Sequence, residues 1–252
     1  MRLLTSVISP AEAAHIFDLS DLIDIKDPSS GSLGMPDPIT VRDTRKLIGV
    51  DADLSVAIGD LDKQGQKTID RAKTLVGFGA TYIKTALSDI DKTTARLNLK
   101  KLKSSVPLSV KVIAAAYVDA ITYGYFNPMD LPRIAFEARL DGVLLDTFLK
   151  EGKTLFDYAD DHMLTQFVVE ARELGLVTAL AGSLSIEHLE RIFKINPDWV
   201  GFRSALTMSG IREESGVDRM KVSALKSCMA KNNKARKQHR LDGHLFVSND
   251  IP

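Results

Sequence analysis

The chain has 252 residues, an apolar share of 44%, a charged share of 26% and a formal net charge of zero. That length suits one α/β barrel without forcing a second domain, and a neutral chain supplies no global field for nucleic acid or a membrane surface. The one cysteine, Cys228, excludes an intrachain disulfide and a multi-cysteine metal site, which fits a reducing cytoplasm, and the apolar run Leu3 to Ile8 is too short for a membrane span and lacks the flanks of a signal peptide.

Short β-rich runs alternate with amphipathic segments along the chain, the pattern of parallel strands joined by crossover helices. The first strand is expected at Leu3–Ile8, followed by a helix opened by the capping box Ser9-Pro10-Ala11-Glu12, with Glu12 reaching back to the cap. Strands then follow at Leu22–Asp27, Leu54–Asp60, Tyr82–Leu87, part of Leu108–Asp119, Gly142–Phe148, Val177–Ser183 and Trp199–Leu206. Helices are expected between and after them at about 41–50, 67–78, 93–103, 128–140, 162–174, 186–195 and 217–230, with Gly79 and Gly175 as C-terminal stops. The absence of a Gly-x-Gly-x-x-Gly after the first strand disfavours a dinucleotide-binding open sheet, so the expected architecture is a single-domain (β/α)8 TIM barrel over 1–230. A basic C-terminal extension, 231–252, carries the run Lys231 to Arg240 and reads as solvated surface, with binding of nucleic acid or an anionic partner as the alternative.

In such a barrel the active site lies where the strands end, so polar residues closing apolar strands mark it. Alternation in Leu22-Ile-Asp-Ile-Lys-Asp27 turns Asp24 and Lys26 to the interior and Ile23 and Ile25 to the helices. Asp60, Lys84, Asp119 and Asp146 close or line the next strands and converge on the same mouth. Any one of them could be an interior ion pair, since a buried charge demands a partner whether or not it reacts. Together, two lysines and several carboxylates are an unfavourable way merely to fill a core. A lysine partly neutralised by desolvation and neighbouring ammonium groups is a nucleophile toward a carbonyl, a shift that Asp24 would oppose.

Past the sixth strand, Lys150 and Lys153 on a glycine-containing loop suit anion capture. Phosphate is the natural guest, because Ala181-Gly182-Ser183 and Gly201-Phe202-Arg203 sit where barrels commonly bind it through backbone amides and small residues. Arg203 reads equally well as a phosphate ligand and as the structural partner of a carboxylate. The stretch Pro28 to Pro38 is too rich in Gly, Ser and Pro for a helix and reads as an active-site loop, placed where a lid is expected. The five histidines show no zinc-ligand spacing, and neither a nucleophile elbow nor a Walker loop is present.

The segments Asp24-Ile-Lys-Asp-Pro-Ser-Ser-Gly-Ser-Leu-Gly34, Tyr82-Ile-Lys84, Ala115-Ala-Tyr-Val-Asp-Ala120, Leu144 to Asp157 and Leu180-Ala-Gly-Ser183 resemble the (5-formylfuran-3-yl)methyl phosphate synthase family of methanofuran biosynthesis, across nearly the whole barrel. The resemblance implies a lyase, class I aldolase-like, that condenses two glyceraldehyde 3-phosphate molecules into a furan aldehyde phosphate with loss of phosphate and water, with no metal or organic cofactor. It places the Schiff-base lysine on Lys26, the proton-transfer lysine on Lys84, and the active-site aspartate and loop lysine on Asp146 and Lys150. The sequence departs from the family's glycine-rich pattern after Arg203, at Ser204 to Gly216, and in the tail.

The partner expected is therefore a small phosphorylated aldehyde, with no nucleic acid and no membrane, in the cytoplasm; assembly into a homo-oligomer is left open. Asp24, Asp60, Asp119, Lys153, Gly182, Ser183, Gly201 and Arg203 are the expected substrate and phosphate contacts. The alternatives are another class I aldolase-like barrel acting on a phosphosugar, or a non-catalytic barrel binding through the basic tail.

Overall fold

A computed structural model describes residues 1–149, 151–209 and 216–245, with 235–245 as backbone only. The strands are β1 (Arg2–Val7), β2 (Leu22–Ile25), β3 (Leu54–Asp60), β4 (Tyr82–Leu87), β5 (Lys111–Tyr117), β6 (Gly142–Asp146), β7 (Val177–Leu180) and β8 (Trp199–Phe202). They pair in parallel in chain order, and β8 closes on β1 with Arg2 opposite Trp199 and Thr5 opposite Phe202, forming the expected single-domain (β/α)8 barrel. Helices α1 (Pro10–Ile16), α2 (Pro38–Ile48), α3 (Gln66–Gly77), α4 (Lys92–Ser105), α5 (Leu131–Glu137), α6 (Leu155–Tyr158), α7 (Asp161–Glu173), α8 (Leu189–Ile195) and α9 (Arg219–Leu245) form the outer layer. No described helix is long and apolar enough to cross a membrane.

Strand alternation sorts the side chains into two cores. Outward residues such as Leu3, Ile23, Ile25, Val56, Ile58, Val112 and Val143 are buried under the helices, each fully buried aliphatic side chain contributing about 1.5–3 kcal/mol. Inward residues fill the barrel: Leu4, Leu22, Ile113, Leu144 and Trp199 toward the N-terminal end, and Ala57, Ala86, Ala115 and Tyr117 above them.

Local signals explain where boundaries differ from expectation. Helix α2 starts three residues early because the Asp37 carboxylate accepts from the Ile39 amide and Pro38 takes the first helical position. The expected helix at 128–140 divides into a 3-10 turn at Pro128–Asp130 and α5, and that at 186–195 into a turn at Ile186–His188 and α8. Helix α6 was not expected; Thr154 and Asp157 form a reciprocal capping box that starts it. Ser9 caps α1 by accepting from the Glu12 amide, but Glu12 Oε2 reaches past the cap to the Ile8 amide at 2.9 Å. Gly79 and Gly175 end their helices with φ of 99° and 75°, as their positions suggested. Helix α9 runs without a break through residues 230 and 231, where the extension was expected to begin.

Candidate active site

Strand β2 supplies the first two groups. Asp24 is fully buried: its Oδ1 lies 2.6 Å from Lys84 Nζ, and its Oδ2 accepts from Ser6 Oγ at 3.0 Å. Strand register brings these residues together, since Asp24 stands opposite both Ser6 and Ser55, while Lys84 stands opposite Ala57 and Ile113. The carboxylate and ammonium thus form a buried ion pair in the barrel's middle layer, where loss of one partner would strand the other.

Two residues further along β2's line, Lys26 is 7% exposed and stands between two cavities. One is a small polar cavity lined by Ser6, Asp146, Gly182, Ser183, Gly201 and Arg203. The other, of about 390 Å³, lies between the loop after β2 and the start of α2 and includes Asp27 and Asp37. Asp146 closes β6 and is 2% exposed, with its Oδ1 accepting from the Thr147 amide at 2.8 Å. Amine and carboxylate therefore line one cavity.

The wall of that space is built of small residues under backbone constraint. Gly182 has φ 107°, and a Cβ there would stand 3.0 Å from Thr147 Cγ2; Ser183, with φ 52°, occupies the left-handed region that most side chains avoid. A Cβ on Gly201 would sit 3.2 Å from Ala181 Cβ. Arg203 realises the structural alternative while still lining the cavity: its Nη1 donates to Glu12 Oε2 at 2.9 Å and to the Ser6 carbonyl at 3.1 Å. The same glutamate that strayed from its expected cap is thus the arginine's anchor.

The remaining expected contacts fall elsewhere. Asp60 is exposed at the end of β3, accepting from Ser88 Oγ at 2.7 Å and from the Tyr117 hydroxyl at 3.2 Å. Asp119 is 1% exposed, and its two oxygens accept the Phe148 and Leu149 amides at 2.6 and 2.9 Å. Lys153 is exposed, with its ammonium 5.2 Å from the centre of the Tyr158 ring. Lys150 lies outside the described residues.

Two features escaped the sequence reading. Tyr117, opposite Asp146 in the β5–β6 register, is 1% exposed, and burial, reinforced by the charges of Asp60 and Asp146, pushes its phenol well above the usual tyrosine range. Its inward position follows from alternation with Ile113 and Ala115, a signal the sequence does carry. The second is the set of contacts by which the loop after β2 is attached to the barrel. Asp27 caps its 3-10 turn through Ser29 and Ser30, hydrogen bonds that also lower the carboxyl's pKa. Ser32 Oγ donates to the Thr147 carbonyl at 2.9 Å, Gly59 N donates to the Leu33 carbonyl at 3.0 Å, and Leu33 is buried among the barrel-interior residues. Gly34 permits this fold, because a Cβ there would lie 2.0 Å from the Asp27 carbonyl oxygen.

The family model described as 4-HFC-P synthase matches residues 3–226. The (5-formylfuran-3-yl)methyl phosphate synthase of Methanothermobacter thermautotrophicus is 37% identical over 237 residues, covering 91% of this chain and 99% of the relative. That of Methanocaldococcus jannaschii is also 37% identical, covering 90% and 98%. Among solved structures, phosphoribosyl anthranilate isomerase from Thermus thermophilus has a TM-score of 0.60 at 16% identity, covering 92% of this chain and 99% of its own. The 3-hexulose-6-phosphate synthase from Salmonella typhimurium has a TM-score of 0.60 at 16% identity, covering 90% and 98%. These two likenesses concern the fold alone.

Proposed function

The chain belongs to the 4-HFC-P synthase family, a family of enzymes, and from that premise we propose that it condenses two glyceraldehyde 3-phosphate molecules into (5-formylfuran-3-yl)methyl phosphate, serving methanofuran-type carrier biosynthesis. The observation that carries the reading is the shared cavity of Lys26 and Asp146, walled by Gly182, Ser183, Gly201 and Arg203.

Lys26 Nζ is the nucleophile of the proposal. Its attack on a triose carbonyl releases water and forms an iminium, which lowers the barrier to removing the neighbouring proton. Asp146 serves as the base that isomerises one triose to dihydroxyacetone phosphate, with the Lys84 ammonium as a proton donor, and the resulting carbanion equivalent attacks the aldehyde of the other. Across the whole sequence two trioses lose one inorganic phosphate and two waters, and aromatisation of the furan drives the reaction forward.

Lys84, held at 2.6 Å by Asp24, is placed to pass a proton within the barrel without being free to wander. The backbone at Gly182, Ser183 and Gly201 offers amides to one phosphate, with Arg203 supplying positive charge beside them. Lys150 and Lys153 are assigned to the second phosphate on their sequence position, and Asp60, exposed at the mouth, to a substrate hydroxyl. The class I aldolase-like lyase mechanism is tested by borohydride reduction during turnover followed by peptide mass analysis. A reduced triose adduct on Lys26 is expected, together with a furan chromophore and released phosphate from the untrapped enzyme. An adduct on another residue, or turnover by Lys26→Ala, would sink the covalent assignment.

A further inference from the structure

Asp119, two residues past the end of β5, is a buried carboxylate. Its Oδ1 accepts the Phe148 amide at 2.6 Å and its Oδ2 the Leu149 amide at 2.9 Å, so both oxygens are spent on consecutive peptide groups 29 and 30 residues away. A carboxylate facing a phosphate would repel it, whereas two amide donors satisfy the charge and are satisfied by it.

The clamped peptides continue directly from Asp146. Asp146 Oδ1 accepts from the Thr147 amide, and the Asp146 carbonyl accepts from Val118 N at 3.0 Å, so the orientation of that carboxylate depends on the path of the chain at 147–149. The turn that Asp119 opens adds a second hold. Thr122 Oγ1 donates to the Asp119 carbonyl at 2.6 Å, and the rings of Tyr117, Tyr123 and Tyr125 lie 5.3, 6.5 and 6.0 Å from the Phe148 ring between centres. Phe148 is thus held by its amide and by three rings.

We infer that Asp119 is a positioning residue, which fixes the exit of β6 through the Phe148 and Leu149 amides and thereby aims the Asp146 carboxylate. The inference rests on the proposed role of Asp146 as an acid-base group. Nothing in it requires Asp119 to touch substrate.

The test compares wild type, Asp119→Asn and Asp119→Ala in steady-state turnover of glyceraldehyde 3-phosphate, with hydrogen exchange followed at the Phe148 and Leu149 amides. The asparagine keeps the volume and one acceptor but sets an amide NH2 against the second peptide N–H. We expect kcat to fall about 10- to 100-fold as Asp146 is misaimed, with KM within about twofold because the phosphate wall is untouched. Exchange should accelerate at Phe148 and Leu149 while the thermal midpoint of Asp119→Asn stays close to that of wild type.

Unchanged kcat, unchanged protection at the two amides, or a kcat loss that only follows global unfolding would overturn the inference. Should the alanine variant fail to fold, the asparagine variant decides. If wild type makes no furan, it is the proposed function that fails, and the exchange measurement still decides whether Asp119 holds the segment.

Discussion

The two ends of the barrel interior are built by the same strands with opposite chemistry. Strand β2 presents Leu22 at the N-terminal floor, Asp24 one layer up and then leads to Lys26 at the mouth; β6 presents Leu144 and then Asp146. The floor is closed by large apolar side chains, with Trp199 edge-on to Tyr82 and covered by the Arg2 guanidinium 4.4 Å from its ring centre. The mouth is lined by the small residues Ala181, Gly182, Ser183 and Gly201. Two residues along β6, and four along β2, thus separate an apolar packing position from one assigned to chemistry in the proposed mechanism, and stability and activity should be separable by mutation along a single strand.

Lys26→Ala breaks the mouth most severely. Turnover should fall about 10⁴-fold or more, with no borohydride-trapped adduct, as measured by furan formation and peptide mass analysis. Asp146→Asn should cost about 10²–10⁴-fold in kcat with phosphate binding retained, which a phosphate titration by calorimetry would check. Lys84→Met probes the layer between: stranding Asp24 should destabilise the fold by about 3–5 kcal/mol in denaturant unfolding, and adding Asp24→Asn should recover much of that loss without restoring turnover.

The floor gives the contrasting result. Leu22→Ala should destabilise by about 2–5 kcal/mol while the remaining folded enzyme keeps its KM and its Lys26 adduct. Tyr117→Phe has the smallest expected effect. Because folding raises the phenol's pKa above its unfolded value of 10.0, the associated stability is intact below pH 10 and is lost as pH rises toward the folded value. Urea unfolding at successive alkaline pH values should show that decline in wild type and a weaker one in Tyr117→Phe, with a difference of about 1 kcal/mol at neutral pH from the lost hydroxyl bond.

The strand order and the inward lysines were legible because each depends on neighbours close in sequence: alternation places Lys26 and Lys84, and glycine marks the turn after β7. Partnerships across the barrel were not. Nothing near Arg203 announces that Glu12 will hold it, and nothing near Asp119 announces two backbone amides beyond β6. Tyr117 was overlooked because a tyrosine among alanines on a buried strand reads as filling. The loop at 28–38 was legible as lying beside Lys26, but its Gly, Ser and Pro content signals only the lack of a helix and does not announce that Leu33 enters the barrel interior or that Ser32 donates to Thr147.

That locked loop couples two properties usually inherited apart. The segment that narrows the mouth is the direct continuation of the strand that carries the amine, and it is fastened to β3 through Gly59 and to β6 through Thr147. Descendants of this barrel cannot trade that loop for another, as loop-swapped enzymes do, without also disturbing the register of Lys26 and the carboxylate across from it. Changes in substrate preference that leave Lys26 in place are expected instead along the turns after β7 and β8, which border the same small cavity.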